Sequence, residues 1–483
     1  MNKYNTSILY KIFLFITIFI ASIIILRTNS IIKNIPTFLS QKKFITDQLG
    51  LTATKVKNII SPRSIKELQK IVRSADGPIA IAGACYSQGG QIAIKNGTVI
   101  NTKYLNKIIN LNLKEKTITV QTGATWYDVQ KYINPYNLSI ASMQSYNNFS
   151  IGGSLSVNAH GRDIHYCQLI NTVKSIQILT ADGNLINANR EQNQDLFAAA
   201  IGGYGLLGII TQATLQLTDN IPLERSTKAC LFEYFDSIFL NTIAPDPSVV
   251  FYNTDIFPKE YTKCLITTWH TTNKPVTDTT ALQKPTSPFY IINQLSEIFL
   301  RRVPLAKLLR FPFEQLTTKE PLIIYRNNEM SYSVSQLAIQ THFPTTMTLQ
   351  EYFIPIKHAK TFAKKLCSIL NTNWVNVLNI SIRYVKPDKT CLMSYAKEES
   401  FSFVIYLNIF NISKSINQAC QWTQQIIDAA LENQGSYYLP YLMCATKKQF
   451  NKAYPRFQQL LKIKKLYDPT NKFRNMLFNK YTL

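Results

Sequence analysis

The segment Asn148–Arg162 constrains the fold of this chain more than any other stretch. Two adjacent glycines, Gly152 and Gly153, open a run of small and polar residues that ends at His160 and Gly161. Because glycine has no Cβ, such a run lets the backbone approach a flat or phosphorylated ligand closely. A tight turn with a glycine bulge is the alternative interpretation of the same residues.

Two further glycine-rich segments lie beside predicted strands. Gly83–Gly90 follows a short, buried strand at Ile79–Ala82, and its successive backbone N–H groups suit a pyrophosphate. It has neither the Gly-Lys-Ser/Thr ending of a Walker loop nor the G-x-G-x-x-G spacing. The other segment, Ile201–Thr211, precedes the predicted strand Ala213–Leu217. Three glycine-rich segments in one domain, each abutting a strand, form a specific pattern.

The composition indicates a folded protein of two domains. The chain has 483 residues, of which 46% are hydrophobic, enough for a large core. Lys and Arg number 52 against 28 Asp and Glu, and the net charge of +24 favours anionic membrane surfaces or phosphates. This charge is not concentrated in an Arg-rich helix or a zinc-finger pattern, so we expect no nucleic-acid partner. The five histidines lack ligand spacing, so we expect no metal.

The N-terminus predicts a membrane anchor. Residues Ile12–Leu26 are apolar apart from Thr17 and Ser22, and extension back to Ile8 gives 19 residues, the length of a spanning helix. The residues after Leu26 do not resemble a signal-peptide cleavage site. The eight cysteines contain no C-x-x-C pair, which indicates buried free thiols in a reducing compartment. The apolar run therefore predicts a single-pass anchor. The free thiols and the positive charges that flank the run predict a cytoplasmic body.

The second half of the chain predicts a sheet that faces a substrate. Val375–Val385 alternates in polarity, so Asn379, Ser381 and Arg383 share one face of a strand. An arginine on this face could steady a substrate oxygen or developing negative charge. A surface or salt-bridged arginine is the alternative interpretation.

Together these segments resemble the flavoprotein superfamily of vanillyl-alcohol oxidase and p-cresol methylhydroxylase, and within it most closely the sugar-lactone oxidases. The resemblance covers residues 58–217 and, more loosely, the C-terminus, where Lys465–Asn475 resembles the closing segment of the family. Thr348–Pro355 resembles the E-Y-x-x-P strand that opens the substrate domain. The implied fold is α+β, with a two-subdomain PCMH-type FAD-binding domain (31–220), a substrate or cap domain with a central antiparallel sheet (221–435), and a C-terminal segment that returns to the FAD domain (436–483). The transmembrane helix predicted from the apolar run (1–30) precedes these domains.

The resemblance implies that the three glycine-rich segments bind FAD. FAD has an anionic middle and a planar end, so it needs backbone donors from separated loops. By this resemblance, Gly83–Gly90 binds the pyrophosphate, Ile151–Gly161 surrounds the ribityl chain and the flavin edge, and Gly208–Ile210 holds the adenine side. The implied FAD contacts are Gly83, Ala84, Cys85, Tyr86, Ser87, Gln88, Gly89, Ser145, Gly152, Gly153, Ser156, Asn158, His160, Gly161, Gly208, Ile209, Ile210 and Asn475.

The chain departs from the family pattern at three positions. Tyr86 stands where many relatives attach FAD covalently through a histidine, so we expect non-covalent FAD. Ser381 stands where the family has the glutamate of its Glu-x-Arg strand, and Tyr441 stands where sugar-lactone oxidases have a lysine. The predicted catalytic residues are Arg383, Tyr441 and His160, and the predicted substrate contacts are Gln350, Tyr352, Asn379, Ser381 and Arg383.

The function implied is that of an FAD-dependent oxidoreductase. It would take a hydride from a CH–OH group of a sugar, polyol or aldono-1,4-lactone, with His160 or Tyr441 taking the hydroxyl proton and oxygen or quinone as electron acceptor. His160 packing beside FAD is the alternative for that residue. Two further functions stay open: a flavoenzyme for a lipid-linked sugar or sterol-like substrate, and a catalytically silent flavin-binding membrane protein.

Overall fold

The computed structural model describes residues 44–51, 53–258, 260–283, 306–318, 320–333 and 345–482. The predicted anchor at residues 1–30 lies outside these ranges. Within the ranges, we found no helix that is both long and apolar enough to cross a membrane.

Strands and helices follow one another along the described chain. The strands are β1 (Phe44–Thr46), β2 (Ala53–Lys55), β3 (Asn58–Ile60), β4 (Ile79–Ala82), β5 (Thr98–Asn101), β6 (Ile108–Asn112), β7 (Thr117–Gln121), β8 (Leu138–Ile140), β9 (Val173–Leu179), β10 (Leu185–Asn189), β11 (Ile209–Asp219), β12 (Pro222–Leu231), β13 (Val249–Ile256), β14 (Lys263–Thr271), β15 (Ile323–Tyr325), β16 (Thr345–Pro355), β17 (Val377–Val385), β18 (Ser400–Phe410) and β19 (Ser436–Tyr437). The α-helices are α1 (Ile65–Ser74), α2 (Trp126–Ile133), α3 (Ile151–Ser156), α4 (Gln194–Ala200), α5 (Phe235–Ile238), α6 (Ala306–Thr317), α7 (Arg326–Glu329), α8 (Ala359–Thr372), α9 (Ser413–Glu432), α10 (Lys447–Ala453), α11 (Phe457–Tyr467) and α12 (Met476–Thr482).

The N-terminal half is built on two sheets. A parallel sheet has the order β3-β5-β4, and an antiparallel sheet has the order β10-β9-β11-β7-β6, with β8 also paired to β11. Helix α1 connects two strands of the parallel sheet. It begins at Ser64, whose hydroxyl accepts the N–H of Glu67, and it buries Leu68 and Val72 against Ile79. The loop Gly83–Gly90 therefore leaves the end of a short strand held by a helix.

The C-terminal half is built on one larger antiparallel sheet with the order β15-β12-β14-β13-β17-β18-β16-β19, which confirms the predicted central antiparallel sheet. Helices α8 and α9 pack on one face. Phe362 of α8 contacts Tyr352 and Phe403, with ring centroids 5.9 and 5.1 Å apart, and Tyr352 and Phe403 are register partners. Because strand residues alternate between faces, the neighbours of these aromatic residues point away from the helices.

The end of the chain lies against the first domain. Phe473 forms a parallel bridge with Ile79 of β4 and is fully buried beside it. The Ile79 N–H donates to the carbonyl oxygen of Lys472 at 2.7 Å, and the Arg474 N–H donates to the Ile79 carbonyl oxygen at 2.9 Å. The segment before α12 thus extends the parallel sheet by backbone hydrogen bonds. The domain boundaries given above remain predictions.

One cysteine pair corrects the expectation of free thiols throughout. Cys420 on α9 and Cys444 form a disulfide, whereas the other six cysteines are free. The two residues are 24 positions apart and belong to no short motif, so spacing gave no sign of the bond. They meet because the chain turns back after α9 and runs beside it. The free-thiol argument for a reducing compartment fails for this pair.

Candidate functional site

Two of the predicted cofactor segments are in direct contact. The hydroxyl oxygen of Ser150, which precedes α3, accepts hydrogen bonds from the N–H groups of Ala84 at 3.2 Å and Gly153 at 3.4 Å. A Cβ on Gly83 would lie 2.1 Å from the same hydroxyl oxygen. Ser150 therefore joins the loop Gly83–Gly90 to the glycine pair, although the sequence predictions did not include it.

The same loop also contacts the segment that carries Tyr441. The Gln88 N–H donates to the Pro440 carbonyl oxygen at 2.7 Å. A Cβ on Gly89 would lie 2.3 Å from the Tyr441 carbonyl oxygen, so only glycine allows this approach. The predicted pyrophosphate loop and a predicted catalytic residue are thus neighbours in space.

Gln88 uses its side chain to hold the larger sheet. Its Oε1 accepts hydrogen bonds from the Thr348 hydroxyl at 3.0 Å and from the Leu349 N–H at 3.1 Å, both on β16. Of the predicted cofactor contacts, Gln88 is therefore one whose side chain joins the two domains.

Two further predicted cofactor glycines are required by contacts within the chain. A Cβ on Gly161 would lie 2.2 Å from the Met143 carbonyl oxygen, and one on Gly208 would lie 2.3 Å from the Leu179 carbonyl oxygen. A Cβ on Gly152 would make a tight contact with Thr122, at 3.0 Å. The close approach of backbone to backbone accounts for these residues. Gly153 differs, because an added Cβ would meet only the Ser150 hydroxyl, at 3.0 Å, within 4 Å.

Further predicted cofactor residues have their polar groups satisfied by the protein. The Ser156 hydroxyl donates to the Gly152 carbonyl oxygen at 2.7 Å. Asn158 Nδ2 donates to Asp388 at 3.0 Å, and Asn475 Nδ2 donates to the Tyr204 carbonyl oxygen at 2.9 Å. Ile209 and Ile210 are buried at the start of β11. These residues shape the site, and their predicted contact with a ligand remains a prediction.

The three glycine-rich segments together form a cradle, and several of its features fit FAD. The hydroxyl oxygens of Ser87 and Ser145 are buried and have no hydrogen-bond partner in the described chain. Buried hydroxyls are nearly always paired, so two unpaired ones near the glycine segments indicate a polar ligand. Residues 83–87 are half-buried, and Gly153 leaves space on one side. Tyr86 packs edge-on against Phe149 with centroids 4.9 Å apart, and burial raises the pKa of its phenol.

Beside this cradle, three polar side chains meet at Glu351 of β16. Its Oε1 lies 2.6 Å from His160 Nε2 and accepts the Ser402 hydroxyl at 2.5 Å. Its Oε2 accepts the Tyr441 hydroxyl at 3.0 Å. The side chains of His160 and Glu351 are each 3% exposed. The cluster joins the end of the glycine segment at His160, two neighbouring strands, and the part of the chain beside Gly89 that carries Tyr441.

The cluster holds Glu351 as a carboxylate. Burial alone would raise the pKa of this carboxyl. The charge and the hydrogen bond of His160, the hydrogen bond of Ser402 and the charge of Arg383 outweigh burial, so the pKa of Glu351 lies below its ordinary value of 4.5. Tyr441 shifts in the opposite direction. Burial, followed by the adjacent Glu351 charge, raises its pKa well above 10.0. At neutral pH the Tyr441 hydroxyl therefore keeps its proton and donates the hydrogen bond that the Glu351 carboxylate accepts.

Both ring nitrogens of His160 face oxygen acceptors. Nε2 faces Glu351, and Nδ1 lies 3.3 Å from the Gly161 carbonyl oxygen. The ring also packs against Phe353, with centroids 5.4 Å apart. Neither nitrogen has a lone pair directed at a substrate, so this geometry favours His160 as the partner of Glu351 rather than as the base.

The predicted substrate residues divide between the two faces of the sheet. Glu351 and Ser381 are both register partners of Val404 and share a face, whereas Tyr352 pairs with Phe403 on the face covered by helices. Gln350, which pairs with Ile405, lies on that covered face too and is 4% exposed. The positions of Gln350 and Tyr352 therefore do not favour contact with a substrate. Strand alternation within Thr348–Pro355 separates Glu351 from Gln350 and Tyr352, but it does not tell which face lies toward the FAD domain.

Arg383 and Asn379 lie on the same face as Glu351. Arg383 is the register partner of Ser402, and its buried Nε has no hydrogen-bond partner within the described ranges. Asn379 Nδ2 donates to Asp255 Oδ1 at 2.8 Å. Arg383, Ser381 and Asn379 are only partly buried, so this face stays open beside the Glu351 cluster.

Comparison with known families assigns both halves of the chain. Residues 56–189 match the family described as FAD binding domain, and residues 248–481 match the family described as D-arabinono-1,4-lactone oxidase. The first match contains Gly83–Gly90 and Ile151–Gly161, including His160, and the second contains Glu351, Ser402 and Tyr441; Gly208–Ile210 lies between the two.

Characterised relatives agree with these matches. The chain is 22% identical to L-gulonolactone oxidase of Bos taurus over 432 residues, which cover 87% of this chain and 93% of that protein. It is 29% identical over 160 residues to a putative D-arabinono-1,4-lactone oxidase of Neurospora crassa, 32% of this chain and 29% of that protein. It is 25% identical over 175 residues to the mitochondrial L-galactono-1,4-lactone dehydrogenase of Arabidopsis thaliana, 36% of this chain and 28% of that protein. With an FAD binding domain joined to a D-arabinono-1,4-lactone oxidase domain, the chain belongs to the FAD-linked oxidoreductases of the vanillyl-alcohol oxidase and p-cresol methylhydroxylase superfamily.

Proposed function

We propose that this protein oxidises a CH–OH group of an aldono-1,4-lactone or a related sugar or polyol, using FAD that is bound without a covalent link. The observation that carries the proposal is the ionised Glu351, which His160, Ser402 and Tyr441 hold beside the FAD cradle. The relatives named as gulonolactone, arabinonolactone and galactonolactone enzymes support this substrate class.

The residues of the cluster supply the proton chemistry. Bound FAD supplies a hydride acceptor. The chain has to accept the hydroxyl proton of the substrate, which becomes acidic as the hydride departs. Glu351 Oε1 already has two partners, whereas Oε2 has only Tyr441 among the described residues. A carboxylate oxygen accepts two hydrogen bonds, so Oε2 has capacity for one substrate hydroxyl.

Arg383 and Tyr441 complete the proposed site. Arg383 lies on the same face, and its charge already acts on both Glu351 and Tyr441. A guanidinium at this position stabilises negative charge on the substrate oxygen as the carbon is oxidised. Tyr441 keeps its proton because its pKa is raised, and its hydroxyl orients Oε2. Arg383 and Tyr441 thus bind and orient, and Glu351 accepts the proton.

Anaerobic titration tests the proposed reaction. An aldono-1,4-lactone added to the purified flavoprotein without oxygen should bleach the flavin absorbance. Air and a quinone are then added to separate samples, and the one that restores the absorbance is the electron acceptor that the enzyme uses. A flavin spectrum that no aldonolactone, sugar or polyol changes would contradict the proposed activity.

The non-covalent link is tested by acid denaturation. Tyr86 occupies the position at which relatives carry a linking histidine, and burial raises the pKa of its phenol further above the ordinary value, so it stays neutral at physiological pH. We expect acid precipitation of the protein to release all of the yellow chromophore into the supernatant. As a matched control, Tyr86→Phe should release FAD in the same way. Chromophore that stays with the precipitated polypeptide would disprove a non-covalent link.

A further inference from the structure

The face of the sheet that carries Glu351 continues well beyond it. Register partners form one row across four strands: Glu351 of β16, Val404 of β18, Ser381 of β17 and Asp255 of β13. Neighbouring strands lie about 4.8 Å apart, so Asp255 is roughly 14 Å from Glu351 along this row. Asp255 belongs to no predicted site and to no part of the mechanism above.

Asp255 is arranged as an acceptor with spare capacity. Its Oδ1 accepts Asn379 Nδ2 at 2.8 Å, and its Oδ2 accepts Asn253 Nδ2 at 2.7 Å. Among the described residues, no Lys, Arg or His forms an ion pair with it, although it is only partly exposed. Each carboxylate oxygen can accept a further hydrogen bond. Two amides therefore fix the carboxylate in place without neutralising its charge.

Three unpartnered polar atoms belong to residues on the same face of the sheet as Asp255. The Asn379 Oδ1 and Arg383 Nε atoms are buried and have no hydrogen-bond partner in the described chain. The Thr227 hydroxyl is also buried without a partner in the described chain. Thr227 pairs with Thr267, which in turn pairs with Asn253, so Thr227 lies in the row next to that of Asp255. Buried polar atoms without partners are uncommon in proteins, so several on one face indicate a polar ligand or water.

Helix α6 lies at the ends of β13 and β17. Its Phe311 packs edge-on against Phe257, with centroids 5.4 Å apart, and its Arg310 Nη1 donates to the Leu378 carbonyl oxygen at 2.8 Å. The row itself runs across the strands from the Glu351 cluster to Asp255. The roughly 14 Å between these two residues exceeds the length of a six-carbon lactone, which spans about 7 Å at ~1.5 Å per bond.

We propose that Asp255, Asn253 and Asn379 form a distal subsite for the hydroxyl groups of a second sugar residue, so that the preferred substrate carries a glycosyl group on the sugar being oxidised. This inference rests on the proposed function. Acceptor oxygens of Asp255 and Asn379 would bind the donor hydroxyls, and the Asn253 amide keeps the carboxylate oriented. A sugar residue matches the site because hydroxyls both donate and accept hydrogen bonds, and the face presents acceptors together with the Arg383 donor.

The test compares an aldono-1,4-lactone with the same lactone carrying a glycosyl group on its terminal hydroxyl. In the wild-type holoenzyme, kcat/KM should be at least about tenfold higher for the glycosylated lactone, the effect of a hydrogen bond to a charged group. Asp255→Ala should raise KM for that substrate about tenfold and leave both constants for the simple lactone within twofold. Asp255→Asn, which keeps the side-chain volume, should behave in the same way and serves if the alanine variant does not fold.

Glu224→Gln is the control, because Glu224 lies on the same sheet and pairs with the exposed Lys274. It should leave the preference for the glycosylated lactone unchanged. Equal kcat/KM for the two lactones in the wild type, or equal losses for both in the Asp255 variants, would overturn the subsite while leaving the proposed function intact. If neither lactone reduces the flavin of the wild type, the proposed function itself fails.

Discussion

Replacing Glu351 by Gln should lower kcat by about 10²- to 10⁴-fold, the range contributed by a positioned proton acceptor. The substitution keeps the size of the side chain but removes the charge that the substrate hydroxyl, Tyr441 and His160 all face. FAD content should stay at the wild-type level, since Glu351 lies in none of the three glycine-rich segments and glutamine keeps a side-chain oxygen beside His160. Stopped-flow reduction of the flavin under anaerobic conditions measures the step directly.

The residue next to Glu351 offers a matched control. Tyr352→Phe removes a buried hydroxyl that has no partner in the described chain, on the opposite face of the same strand. This variant should reduce its flavin at the wild-type rate. Equal rates for Glu351→Gln and wild type would rule out Glu351 as the proton acceptor, and loss of FAD from Glu351→Gln would assign it a structural role instead.

Replacing Gly153 by Ala should lower FAD affinity by more than tenfold while the apoprotein stays folded. An added Cβ meets only the Ser150 hydroxyl within 4 Å, so the protein itself accommodates the methyl group with a small shift. Within helix α3, alanine is favoured over glycine by about 0.5–1 kcal/mol, so the free energy of unfolding of the apoprotein should not fall. Fluorescence titration of the apoprotein with FAD, beside a thermal melt, separates the two effects.

Gly161 provides the contrast for this prediction. A Cβ there lies 2.2 Å from the Met143 carbonyl oxygen, so Gly161→Ala should destabilise the fold itself. Retention of wild-type FAD affinity by Gly153→Ala would show that the open side of the glycine pair does not face the cofactor.

The glycine segments were predictable because their cause is local. A missing Cβ is visible in the sequence, and three such segments beside strands indicated one cradle before their contacts were known. Sequence did not distinguish glycines that approach a ligand from those that approach the chain. Gly161 and Gly208 meet carbonyl oxygens from Met143 and Leu179, residues whose proximity depends on the tertiary fold.

The catalytic cluster was harder to predict because it depends on which face of a strand is covered. Glu351 stands between Gln350 and Tyr352, and all three are nearly fully buried. Alternation predicts that Glu351 points away from its two neighbours but does not say which side faces the FAD domain. Helix α8, packed on Tyr352, decides this. The Cys420–Cys444 disulfide was unpredictable for a related reason, because only the return of the chain along α9 brings the two together.

Gln88 has a consequence for how long a non-covalent cofactor stays bound. Its backbone N–H and its side-chain oxygen tie the glycine loop to Pro440 and to β16 through three hydrogen bonds that need no ligand. The loop is ordered when the protein folds, so cofactor binding need not order it. Departure of the cofactor past this loop requires a local opening that separates it from the second domain. We therefore expect motion between the two domains to limit how fast a non-covalently bound flavin dissociates.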